Sequence, residues 1–240
     1  MSQLQRIVIA PSQIDSPHIL LNADQQHYLS RVLRLRSGDS FIAMNGSGQS
    51  WLVELQLDRA KILAAVDPKS ELPIFVTLLL ALPKGNGFDD VIRQTTELGV
   101  GCIAPVISDR TLLNPSPNKL ERWRRIAQEA AEQSERQIVP TILEPMPWVD
   151  RLSENSDDPR FICLARSNSP HLLDVLLEQR LPSITLAIGP EGGWTDSEIK
   201  HAIATNYQPI SLGCRILRAV TAPIVALSLI SGVYENAPKP

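Results

Sequence analysis

Two glycine-bearing segments near the C-terminal end hold the residues best suited to chemistry. The first reads Gly189-Pro190-Glu191-Gly192-Gly193-Trp194-Thr195 and follows an apolar run over 184–188. Glycines at 189, 192 and 193 tolerate positive φ and let a ligand approach the backbone closely. Thr195, with Glu198 three residues on, forms a capping box that opens a helix. A strand ending in such a loop puts it beyond the carboxyl edge of a sheet, where open α/β proteins bind ligands. The loop is neither G-x-G-x-x-G nor G-x-x-x-x-G-K-[ST], which argues against a dinucleotide or a triphosphate. Taken alone it also fits an ordinary tight turn. The second segment contains Leu212-Gly213-Cys214-Arg215-Ile216-Leu217-Arg218, ahead of a helix opened by Thr221 and Pro223. Arg215 and Arg218 could meet an anion or a developing negative charge, or could cap loop carbonyls. A third group lies far upstream, where Arg31, Arg34 and Arg36 are interleaved with Val32, Leu33 and Leu35. Such a basic row beside a packed face suits phosphate contacts or a solvated edge.

The elements that must position these residues change character along the chain. Short β segments at 6–10, 40–44, 51–57 and 60–66, broken by Asn45-Gly46-Ser47-Gly48, suit a small barrel or sandwich. A connector at 67–73 follows. Beyond it, strands at 74–80, 102–106, 161–164, 184–188 and 209–212 alternate with helices at 88–98, 120–134, 172–178, 197–205 and 223–234. That alternation predicts a mainly parallel sheet covered by helices. The helix at 120–134 is the clearest, with Leu120, Trp123, Ile126, Ala127, Ala130 and Ala131 on one stripe. The last helix is apolar nearly all round, so it must be buried or meet another subunit. We expect two domains, 1–70 and 74–235, and a frayed tail over 236–240.

Composition excludes several classes. The 240 residues include 43% apolar and 20% charged side chains, ordinary for a globular protein and unlike disordered, collagenous or coiled-coil chains. With 23 basic and 26 acidic residues the formal charge is −3, no signature of a nonspecific nucleic-acid binder, although local patches can differ. The start lacks an apolar signal region, and the longest apolar stretch, near 224–230, is far below the roughly 20 residues of a membrane span. A cytoplasmic location is expected. Cys102, Cys163 and Cys214 are scattered, and the four histidines show no ligand spacing, so neither a disulfide nor a metal is expected.

Together these segments resemble the RsmE-type 16S rRNA (uridine-N3) methyltransferases of the SPOUT superfamily, over nearly the whole chain. The resemblance rests on Arg6, on Arg31-Val32-Leu33-Arg34 with Gly38-Asp39, and on Lys84 ahead of Thr96-Glu97-Leu98-Gly99-Val100. It continues through Pro105, Trp123, the helix from Glu129 to Arg136 (EAAEQSER) and Pro140. Gly189-Pro190-Glu191-Gly192-Gly193 with Glu198, then Leu212-Gly213 with Arg215-Ile216-Leu217-Arg218, complete it.

The resemblance implies a SPOUT-type α/β domain with a C-terminal trefoil knot, an exception to the rule against knots, preceded by a small PUA-like β-barrel. It implies S-adenosylmethionine held by Leu164, Gly189, Pro190, Glu191, Gly192, Gly193, Leu212, Gly213, Ile216 and Leu217. RNA would be gripped by Arg6, Arg31, Arg34 and Arg36, and the enzyme would be a homodimer acting on the small ribosomal subunit without a metal. Arg218, and after it Arg215, would stabilise the charge that develops on the uracil as N3 loses its proton. One position departs from the family's usual pattern: Val220 stands where a glutamate is common, which questions any role for that carboxylate. Two other readings compete. A ribose 2′-O SPOUT enzyme would lack both the N-terminal barrel and the EAAEQSER helix, and a non-catalytic RNA-binding or assembly factor is motivated only by Val220.

Overall fold

Alternating apolar residues build the first sheet. The computed structural model describes residues 4–85, 87–111, 115–154 and 158–236. Of the expected frayed tail, 237–240 lie outside the described residues. The chain divides into two compact units, Met1–Glu71 with Gln128–Val139, and Leu72–Ala127 with Pro140–Pro240. In the first unit, strands β1 (Arg6–Val8), β2 (Ile14–Asp15), β3 (His18–Leu20), β4 (Ser40–Met44), β5 (Ser50–Leu55) and β6 (Arg59–Val66) form one sheet in the order β1-β4-β5-β6-β3-β2. Only the β1–β4 pair is parallel. Ile7 from one end of that sheet and Ile19 from near the other share one core with Phe41, Ala43, Val53, Leu55 and Ala60. A core common to both ends requires the sheet to curl around it, the PUA-like arrangement. Strands β2 and β3 and the helix α1 (Ala23–His27) were not legible in the sequence, being too short for any period to show.

Helix α1 starts at a capping box, Asn22 with Gln25. It runs into a wider turn, where the Leu33 amide donates to the Tyr28 carbonyl five residues back. That turn buries Leu29, and Leu33 and Leu35 pack against the same core. Arg31, Arg34 and Arg36 are exposed, as the interleaved pattern predicts. Arg34 takes a left-handed conformation, φ 58°.

The unit is closed by an anchored carboxylate. Glu71 Oε2 accepts from Arg136 Nε at 3.0 Å and Nη2 at 2.7 Å, and Oε1 accepts from the backbone amides of Gln137 and Ile138 at 2.7 and 2.9 Å. These bonds explain why 128–139, which follow the connector by more than 50 residues, pack with the first unit rather than the second.

In the second unit, β7 (Phe75–Ala81), β8 (Cys102–Ile107), β9 (Thr141–Ile142), β10 (Met146–Pro147), β11 (Arg160–Cys163), β12 (Ser183–Ile188) and β13 (Gln208–Ile210) form a seven-stranded sheet. Every pairing in it is parallel, as the alternation predicts. The order β10-β8-β7-β12-β11-β13, with β9 beside β8, puts β12 between β7 and β11. Residues 184–188 are accordingly all buried. Helices α2 (Gly87–Glu97), α3 (Pro117–Gln133, of which 128–133 belong to the first unit), α4 (Trp148–Leu152), α5 (Leu172–Glu178), α6 (Asp196–Ala204) and α7 (Ala222–Glu235) connect and cover the strands. The expected stripe of α3 is buried at all six positions, and Trp123 meets Phe88 edge to face at 4.6 Å. Helix α7 packs on α2 and α5 and buries Ala226, Leu227, Ile230, Val233 and Tyr234. Among the described residues no helix is long and apolar enough to cross a membrane.

Replacing Glu71 by Ala leaves the Arg136 guanidinium, 3% exposed, without this carboxylate. The expected loss is about 3 kcal/mol, the scale of a buried ion pair broken on one side. Urea unfolding of the purified variant measures it, and an unchanged midpoint would show that solvent already screens the pair.

Candidate functional site

The parallel sheet brings three loops together at one edge. Strands β12, β11 and β13 are consecutive neighbours, so the chain leaves Ile188, Cys163 and Ile210 on the same side. The loops after them enclose a cavity of about 510 Å³, within the range of small-molecule sites. Leu164, Gly189, Pro190, Glu191, Gly192, Gly193, Leu212, Gly213, Ile216 and Leu217, all expected in a cofactor site, line it, and so does Arg215.

The glycine loop is held from behind by a buried carboxylate. Glu198, 3% exposed, completes the expected capping box: its Oε2 accepts from the Thr195 amide at 2.7 Å, and Thr195 Oγ1 accepts from its amide at 3.2 Å. Its other oxygen accepts from the Asp109 amide at 2.9 Å, while Thr195 Oγ1 donates to Asp109 Oδ2 at 3.0 Å. The next residue, Arg110, donates to the Gly192 carbonyl, and the amide of Lys84 donates to Glu191 Oε1 at 3.1 Å. So the turns after β7 and β8 clamp the loop after β12. No sequence pattern marks Asp109 and Arg110, because their partners lie more than 80 residues away.

Local sterics fix two of the glycines. A Cβ at Gly189 would stand 3.1–3.3 Å from the Trp194 indole, so the ring lies where only hydrogen fits comfortably. Trp194 stacks on Trp148 at 4.4 Å, and Tyr207 meets Trp148 edge on at 5.8 Å, giving the loop a rigid aromatic backing. Gly213 adopts φ 114°, closed to ordinary side chains. Ser211 Oγ accepts from its amide, and the Ser211 carbonyl accepts from Leu172 at the start of α5.

Other expected site residues fall elsewhere. Arg218 is exposed and is not in the cavity wall; its carbonyl accepts from the amides of Thr221 and Ala222. Val220 packs toward the first residue of α2, where a Cβ on Gly87 would be only 2.9 Å from Val220 Cγ1. Arg6 departs from its expected RNA role: its side chain is 13% exposed and paired to Glu135 at 2.6 Å, with a further bond to the Leu4 carbonyl. That guanidinium is committed to holding β1. Conversely, Arg166 and Ser167 line the cavity without having been expected. No motif marks them, and only the φ of 58° at Arg166 singles that turn out.

The three cysteines are free. Burial pushes the Cys163 thiol up to about 12; burial also pushes Cys102 up to about 11, although Arg151 opposes it. Among the described residues no group of three or more His, Cys, Asp and Glu side chains could hold a metal ion. At pH 8 both raised thiols stay protonated, whereas Cys214 is exposed. Iodoacetamide should therefore modify the native protein once, at Cys214, and three times in guanidinium; mass spectrometry reads the count. Rapid native modification of Cys163, which lines the cavity, would mean that burial does not hold its thiol protonated.

The comparisons with known proteins agree with this geometry. The RNA methyltransferase domain family matches residues 70–231, and the RNA methyltransferase PUA domain family matches 21–66. Ribosomal RNA small subunit methyltransferase E of Synechocystis sp. is 49% identical over 238 residues, 96% of this chain and 78% of that protein. Its counterpart in Bacillus subtilis is 31% identical, with 94% of each chain covered. Among solved structures, ribosomal RNA small subunit methyltransferase E of Neisseria gonorrhoeae bound to S-adenosyl methionine superposes with a TM-score of 0.86, at 29% identity, over 97% of this chain and 98% of that one. A Legionella pneumophila methyltransferase in complex with the same cofactor gives 0.84 at 26% identity, over 96% and 98%. With its PUA-like unit, its parallel α/β unit and its three-loop cavity, this chain belongs to the ribosomal RNA small subunit methyltransferase E family.

Proposed function

We propose that this chain transfers a methyl group from S-adenosylmethionine to N3 of a decoding-region uridine of 16S rRNA, within the small ribosomal subunit in the cytoplasm. The observation that carries the reading is the convergence of the loops after β11, β12 and β13 on one cavity, in a chain of this family. The cavity's size, the bare backbone of Gly192 and Gly193 and the left-handed Gly213 fit a flat nucleoside with an amino-acid arm. Leu164, the 189–193 loop, Leu212, Gly213, Ile216 and Leu217 would hold it. The reading carries with it the trefoil knot through these loops. It also carries a homodimer, in which half-buried Ile224, Val225 and Leu229 of α7 meet a second copy.

When bound, the cofactor supplies an electrophilic methyl on a sulfonium. The protein's part is to align the uracil N3 with it in a cleft poor in water. The base must be presented unpaired, since pairing hides N3. As the N3 proton leaves, negative charge spreads to O2 and O4, and a guanidinium there lowers the barrier. Both Arg215 and Arg218 are exposed, but Arg215 lines the cavity and Arg218 does not, so Arg215 takes this role ahead of Arg218. The proton passes to water or to Glu191, the one carboxylate of the wall among the described residues.

The test is methylation of unmethylated small subunits by the purified protein, with the product uridine located by mass mapping. Modification of a ribose 2′-oxygen in place of N3 would sink the reading. In single turnover at saturating cofactor, Arg215→Lys should lose on the order of 10²-fold in rate, the scale of one missing oxyanion donor, and Arg218→Lys should lose less. The exposed row in the first unit supplies phosphate contacts. Replacing Arg31, Arg34 and Arg36 together by Ala should weaken subunit binding and flatten its salt dependence, because fewer counterions are released. An unchanged slope returns the three to a solvated edge.

A further inference from the structure

Arg166 combines three properties that no other residue of the cavity wall shares. It follows β11 in the turn 164–167 and lines the cavity. Its backbone lies at φ 58°, in the left-handed region that costs an L side chain energy and that glycine enters freely. Every other positive-φ residue of the wall is a glycine, Gly193 or Gly213. Finally, among the described residues its side chain makes no hydrogen bond or ion pair, in contrast to Arg110, which is bonded to the Gly192 carbonyl. The turn itself is already stitched by Ser167, whose hydroxyl donates to the Leu164 carbonyl and accepts from the Ser169 amide, both at 3.4 Å. Glycine would adopt this turn without that cost, so an arginine here draws attention to its side chain.

We infer that Arg166 binds an oxyanion at this cavity. The wall carries two arginines, Arg166 and Arg215, against one acid, Glu191, whose Oε1 is occupied by the Lys84 amide. The planar fork of a free guanidinium matches a carboxylate or a phosphate with two parallel hydrogen bonds. The inference rests on the proposed methyl transfer, which brings both to the cavity: the carboxylate on the amino-acid arm of S-adenosylmethionine, and a phosphate flanking the target uridine.

Arg166→Gly is the decisive variant, because it removes the fork and relieves the strained backbone together. Its thermal midpoint should equal or exceed that of the wild type, so a loss of binding cannot be blamed on misfolding. Calorimetry with S-adenosylmethionine and with 5′-methylthioadenosine, which lacks the amino-acid arm, forms one arm of the test. The KM for unmethylated small subunits forms the other. About a tenfold or larger loss for S-adenosylmethionine, with methylthioadenosine unaffected, assigns the fork to the carboxylate. A KM raised by a similar factor, with cofactor affinity unchanged, assigns it to the phosphate. In either arm Arg166→Lys should recover part of the loss, because it keeps the charge without the fork. Unchanged binding in both arms overturns the inference, as does a lowered midpoint with equal losses for both nucleosides. Failure of the wild-type protein itself to bind S-adenosylmethionine would instead overturn the proposed function.

Discussion

A strand buried on both faces governs the second unit. β12 lies between β7 and β11, pairs with both in parallel, and has no face open to water. Its backbone groups are satisfied only in that register, so its carboxyl end, Ile188, is fixed in space. Parallel pairing then puts the ends of β11 and β13 beside it. The cavity is a consequence of this: three loops that leave neighbouring strands on one side have only each other to close against.

Fixing the strand ends does not fix the loops. That falls to Glu198, which satisfies amides on two chain segments from inside the protein. A buried carboxylate is tolerated where backbone donors surround it. Arg110 and the Lys84 amide add bonds to Gly192 and Glu191, and Trp194 is seated on Gly189 with Trp148 behind it. A glycine-rich segment is floppy by nature; here the bonds and the aromatic backing remove that freedom, so a ligand need not provide the ordering itself. In the first unit Glu71 plays a comparable part, binding Arg136 and two backbone amides to complete the curled sheet.

Arginines show how burial and bonding sort chemically identical groups. Arg6 and Arg136 are consumed by ion pairs and hold structure. Arg110 is spent on a loop carbonyl. Arg31, Arg34 and Arg36 are exposed on the first unit, and Arg166 and Arg215 line the cavity of the second. The family resemblance treats Arg6 and Arg34 alike, since both belong to its motifs; their partners decide otherwise.

The class of both units, most element positions and the two glycine-bearing segments that line the cavity can be read from the sequence. These are set by local signals: period-two and helical spacing, glycines at turns, and the Thr195–Glu198 box, all of which act over a few residues. The motifs carrying the family resemblance are local too. The folded chain alone shows that Asp109 and Arg110 brace the glycine loop, that Arg6 pairs with Glu135, and that 128–139 join the first unit. It alone put Arg215 in the wall and Arg218 on the flank, two positions that differ by less than one helical turn in sequence. It alone revealed the left-handed backbone of Arg166. Each of these depends on a partner brought from tens of residues away or on a dihedral angle chosen by packing, and neither leaves a mark in the spacing of residue types.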